Sequence, residues 1–183
     1  ITILPMVMKA PGYEPAKDFV PVAGFATFVN AFAVSSGTPA TSFKAYPSVV
    51  HTQGPIELVL KLRSQVTAAA VESVHVATYG EAVRRTAAET EKWDPRTRET
   101  ADHSIPYLVA AALQDGAVTP ATFALARIQD PALRPLIEKL TVVEEPEFTR
   151  RYPAESCTRI EVTTTDGRRL AAETRYPKGH HRN

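Results

Sequence analysis

The stretch HSIPYLVAAALQDG, residues 103–116, sets His103 and Tyr107 four residues apart with Ser104 beside them. In a helix, residues four apart lie one above the other. An imidazole, a phenol and a hydroxyl are thereby gathered at a first helical turn, where unpaired backbone N–H groups and the positive end of the dipole attract a carboxylate. All three can donate a hydrogen bond, and His103 or Tyr107 can also pass a proton. The chemistry indicated is the binding of a carboxylate by groups that can also pass a proton. On spacing alone the plainer reading is packing, with His103 against a loop and Tyr107 half-buried at the domain rim.

A second polar group stands upstream. Lys44, between Phe43 and the Tyr46-Pro47 turn, is followed by His51 and Gln53. Taken alone, Lys44 reads as a solvated lysine. His75 reads as an exposed strand histidine, and the adjacent His180 and His181 as tail residues. There is no glycine-rich phosphate loop, no histidine pair at metal spacing and no Gly-x-Ser-x-Gly elbow, so nothing here asks for a metal or a phosphate cofactor.

The elements that must position these groups follow from apolar period and punctuation. Pro55, Ile56, Val59, Leu60 and Leu62 predict a helix from Pro55 to Gln65, and VESVHVATYG a strand that carries Val74, Val76 and Thr78 on its more apolar face, with Val71, His75 and Ala77 on the other. EAVRRTAAET predicts a short helix, and EKWDPRTRETAD a charged loop around Trp93. In the stretch from His103, the residues Ile105, Leu108, Val109, Ala112 and Leu113 form a buried stripe, with Asp102 as cap and Gly116 just past the end. Thr119-Pro120 and Asp130-Pro131 open two further helices. TVVEE, CTRIEVTTT and RRLAAETRY are strands, the last two joined at Asp166-Gly167 as a two-residue hairpin. Four mostly antiparallel strands with helices packed on one face make an α+β two-layer domain.

Composition bounds the rest. The 183 residues suffice for one core, and a net charge of +1 gives no reason to expect nucleic acid. Cys157 is the single cysteine, so no intrachain disulfide forms and a reducing compartment, by default the cytoplasm, is expected. The apolar run VPVAGFATFVNAFAV, residues 20–34, is too short to span a bilayer and carries Pro21, Gly24 and Asn30. It is expected to be a buried or partner-facing helix. Residues 1–19, with Pro5, Pro11, Gly12 and Pro15, read as an extended arm, and the initial isoleucine hints at processing or a fragment.

Four stretches taken together, SFKAYPSVVHTQGPIELVLKLR, KWDPRTRETADHSIPYLVAAALQDG, LIEKLTVVEEPEF and VTTTDGRRLAAETRYPKGHHRN, resemble the C-terminal α+β domain of the MmgE/PrpD family. The resemblance runs from about Phe43 to His180, so residues 1–42 stand apart as an arm and apolar segment and 43–183 as the domain. It implies a cofactor-independent lyase or isomerase of small di- and tricarboxylates: 2-methylcitrate dehydratase first, or else cis-aconitate decarboxylase or iminodisuccinate epimerase. It also implies a homodimer whose large helical domain, with no counterpart in these 183 residues, completes the active site. Lys44 matches the lysine of the family's Lys-x-Tyr-Pro motif, and His103, Ser104 and Tyr107 match its His-Ser-x-x-Tyr motif. This makes Tyr107 and His103 the implied catalytic groups and Lys44, Ser104 and His51 the substrate-binding ones. The alternative is a module that binds a polycarboxylate or a partner chain without turnover.

Overall fold

The computed structural model describes residues 43–183 and, before them, the backbone of Val20–Pro21 and Ala33–Val34, which pair as antiparallel strands. The rest of the helix expected over residues 20–34 lies outside the described residues, and its two described ends are extended. The chain divides into two compact units, 1–42 and 43–183. The second carries every candidate residue.

Its sheet has four strands, β1 (Val71–Thr78), β2 (Leu140–Glu144), β3 (Thr158–Thr164) and β4 (Arg169–Thr174), in the order β2-β1-β3-β4. β1 pairs antiparallel with β3, and β3 with β4, whereas β1 and β2 run parallel. A parallel pair needs a long crossover. The helices between β1 and β2 supply it, and they bring His103 onto the sheet's helical side. Val74, Val76, Ile160 and Val162 are buried there beneath α1 (Gln53–Leu62) and α4 (Ile105–Asp115). The α+β reading therefore holds, with one parallel pair among antiparallel ones.

Val71 departs from the expected alternation. It is fully buried although His75, expected on its face, is exposed, because the register with β3 shifts between Val71 and Ser73. An extra residue on one strand turns what precedes it to the other face.

Between β1 and β2 the chain forms α2 (Gly80–Thr86), α3 (Arg98–Asp102), α4, α5 (Leu125–Ile128) and α6 (Arg134–Ile137). α3 occupies part of the stretch expected to be a loop, and Thr97 caps it by accepting from the Thr100 N–H. Asp102 thus closes α3, and Ser104 caps α4 by accepting from the Tyr107 N–H at 3.0 Å. Gly116 ends α4 with φ of 75°, a left-handed conformation that glycine adopts without strain. Thr119-Pro120 and Asp130-Pro131 open 3-10 turns rather than α-helices, Pro120–Phe123 and Pro131–Leu133. The hairpin between β3 and β4 is longer than two residues: Gly167, with φ of 84°, donates to the Thr164 carbonyl at 2.8 Å and Thr164 to that of Arg168 at 2.9 Å.

A smaller cluster closes one corner of the opposite sheet face. Phe148 of α7 (Pro146–Arg151) packs there with Ala77, Tyr79, Ala82 and Cys157.

Candidate active site

Two histidine-bearing turns are stitched together. The Val49 N–H donates to the Asp102 carbonyl at 3.1 Å, which ties the 3-10 turn Val50–Thr52 to the junction of α3 and α4. That turn is held from within. The Gln53 side chain accepts from the Tyr46 N–H at 3.0 Å and donates to the Tyr46 carbonyl at 3.1 Å, while the Thr52 hydroxyl donates to the Val49 carbonyl at 2.8 Å. A side chain on so constrained a turn has little orientation left to lose.

His51 projects from it. Its Nδ1 shares a hydrogen bond of 2.8 Å with the Tyr79 hydroxyl, and Tyr79 stacks on Tyr152 with centroids 4.3 Å apart and rings 9° from parallel. Burial, and then the charges of Arg85 and His103, hold the His51 pKa below its ordinary value. His51 is therefore neutral at neutral pH, and Arg85 and His103 are close enough to act on it.

His103 is the more accessible imidazole, its side chain 42% exposed. Its Nδ1 faces the Glu99 carbonyl at 3.1 Å and the Asp102 carboxylate. A carbonyl only accepts, so Nδ1 carries the hydrogen and Nε2 is left to receive a proton. A carboxylate that orients an imidazole in this way is a recurrent base arrangement.

Of the other expected residues, Tyr107 and Ser104 lie in the core and Lys44 on the surface. Tyr107 is not beside His103: it is fully buried, its hydroxyl donates to the Thr122 carbonyl at 2.5 Å, and burial pushes its pKa up to about 12. The reason is that α4 is buried from Ile105 to Leu113 on all sides, leaving no exposed face to share. Ser104 is also buried, its hydroxyl spent on the α4 cap and on the Lys92 carbonyl. Lys44 is exposed, and its ammonium makes no ion pair or hydrogen bond among the described residues. Its segment is pinned where the Phe43 N–H donates to the Gly179 carbonyl at 2.7 Å. Asp102, Arg85, Tyr79 and Tyr152 were not among the expected site residues. Asp102 was legible as the neighbour of His103, but nothing local marks the two tyrosines.

Two predictions arise here. Tyr107→Phe leaves the Thr122 carbonyl without its donor and lowers unfolding stability by about 1–3 kcal/mol. Urea denaturation checks this; intact stability with lost turnover would instead return Tyr107 to the catalytic role. The second concerns pH. The folded His51 pKa lies below the unfolded one, so the unfolded chain binds more protons as pH falls through about 6.5. Stability contributed above that pH is lost below it. His51→Gln should flatten the dependence of the urea midpoint on pH over this range, and an unchanged dependence counts against the burial of His51.

A cleft of about 560 Å³ adjoins the stacked tyrosines, and Glu81, Glu144 and Arg84 line it, Arg84 being paired with Glu81. Two carboxylates against one guanidinium disfavour a polycarboxylate there. A second, of about 470 Å³, has Arg63 and Lys139 on its walls, both already donating to backbone carbonyls, of Leu113 at 2.8 Å and Val71 at 2.6 Å. Among the described residues no group of three or more His, Cys, Asp or Glu is placed to hold a metal, and no helix is long and apolar enough to cross a membrane.

Residues 46–183 match the family model described as the MmgE/PrpD C-terminal domain. Over 148 residues the chain is 32% identical to a 2-methylcitrate dehydratase of Salmonella typhimurium, 31% to one of Escherichia coli and 30% to one of Cupriavidus necator. Each alignment takes in 75% of this chain and 30% of the relative, so the chain spans under a third of the relatives' length.

Proposed function

Since the chain belongs to the MmgE/PrpD family, as its C-terminal domain, we propose that it supplies one wall of the active site of a lyase that dehydrates 2-methylcitrate or a closely related tricarboxylate. The observation that carries this reading is His103, held by Asp102 and the Glu99 carbonyl with Nε2 free, next to a neutral His51. Loss of water beside a carboxylate needs one group to take the carbon-bound proton and a proton to reach the departing oxygen. His103 serves both in turn: Nε2 gains in the first step the proton that the hydroxyl takes with it as water in the second. Lys44 and the His51 N–H offset the negative charge that builds on the carboxylate between the two steps. No cofactor enters this scheme.

The reading extends to the setting. A helical domain, in the same polypeptide or a partner chain, faces this wall and closes it against water, and the assembly is a cytoplasmic homodimer. The chain's relatives bear a dehydratase name, which favours 2-methylcitrate over the decarboxylase and epimerase substrates. The test is turnover by the protein that carries this chain in its native source, with 2-methylcitrate, cis-aconitate and iminodisuccinate offered separately. Formation of the alkene from 2-methylcitrate alone is the expected result. Binding of all three acids with conversion of none would replace the lyase by a non-catalytic binding module.

A further inference from the structure

The two imidazoles differ in what meets their Nδ1 atoms. For His103 the partners are a carbonyl and a carboxylate, both acceptors, so the hydrogen sits on Nδ1. For His51 the partner is the Tyr79 hydroxyl, 2.8 Å away, which could give or receive. Its direction is set by burial. Tyr79 is buried, and the bond to Nδ1 of His51 is the one its hydroxyl makes among the described residues, so accepting from Nδ1 would leave the phenol hydrogen unbonded and the hydroxyl donates instead. Stacking on Tyr152 fixes the phenol ring in that orientation.

We propose that His51 and His103 are locked as opposite neutral tautomers, His103 offering a proton-accepting Nε2 and His51 a proton-donating Nε2, with Tyr79 as the residue that positions His51. Neither Nε2 has a protein partner among the described residues. One edge therefore accepts and its neighbour donates. A hydroxycarboxylic acid presents the complementary pair, a proton to remove or a hydroxyl hydrogen beside a carboxylate oxygen. The neutral donor suits a carboxylate that becomes more basic as its α-proton leaves, because it stabilises that charge without giving its own proton away. This deepens the lyase reading and rests on it for the ligand, though not for the tautomers.

The experiment is nitrogen NMR of the histidine rings in the 183-residue chain labelled with ¹⁵N-histidine, at a pH of about 8, above the ordinary imidazole range. Nδ1–H on His103 and Nε2–H on His51 is the expected result. The same tautomer on both, or averaged signals on both, overturns the proposal. Tyr79→Phe keeps the ring that stacks on Tyr152 and removes only the hydroxyl. It should move the His51 nitrogens toward a mixture of tautomers and leave those of His103 in place; an unchanged His51 removes Tyr79 from the positioning role. Turnover separates this from the lyase reading: opposite tautomers in a protein whose His51→Gln and His103→Gln variants turn over 2-methylcitrate normally would keep the tautomers and discard the lyase.

Discussion

His103→Gln lowers kcat for 2-methylcitrate by about 10²–10⁴ in the protein that carries this chain, the span that a positioned acid-base group contributes. Glutamine is close in size and can still donate to the Glu99 carbonyl, but its amide cannot accept a proton. The side chain is 42% exposed at the junction between α3 and α4, so unfolding stability should change little. That separates chemistry from folding. Asp102→Asn tests the next link outward: it keeps the shape and removes the charge that holds Nδ1–H, and the asparagine can turn its NH₂ toward the ring and favour the wrong tautomer. Its loss should be in kcat rather than KM, and smaller than that of His103→Gln because the Glu99 carbonyl remains as a partner. Unchanged kcat in His103→Gln removes this residue from the reaction.

The strands, α1 and α4 were legible because their apolar periods are local signals, and the Gly116 end of α4 because only glycine takes that φ cheaply. α3 was missed: RETAD is a single polar turn whose signal is one cap, Thr97, inside a stretch of charges. The misplacement of Tyr107 has a different cause. Helical spacing says which residues share a face, but not how many faces the tertiary structure covers, and α4 is covered on all of them. Ser104 matches the family's motif, but its type and place are those of a helix cap, and the cap is where its hydroxyl is spent. The contact that sets His51 could not be read at all, since Tyr79 and Tyr152 meet only after β1 and α7 have docked. A contact between sequence neighbours, such as Asp102 and His103, is legible in the sequence; one made by the fold is not.

Gly179→Ala should raise KM by roughly 10- to 100-fold with a smaller change in kcat, the loss expected when one charge-assisted contact of about 1.5–3 kcal/mol is withdrawn. Gly179 has φ of 88°, strained for any residue with a side chain, and a Cβ built on it falls 2.2 Å from the Phe43 carbonyl oxygen. That obstacle is backbone, so it cannot rotate away. The Phe43–Gly179 hydrogen bond must open, and the segment that presents Lys44 moves with it. The cost falls on the site more than on the core, because none of the residues concerned belongs to the buried clusters. Lys44→Met removes the cation itself and should raise KM by a similar factor. If the glycine acts through the lysine, the double variant is no worse than Lys44→Met alone, since a contact already lost cannot be lost again. Additive effects would show that the tail and the lysine act separately, and a silent Gly179→Ala would show that the turn does not position Lys44.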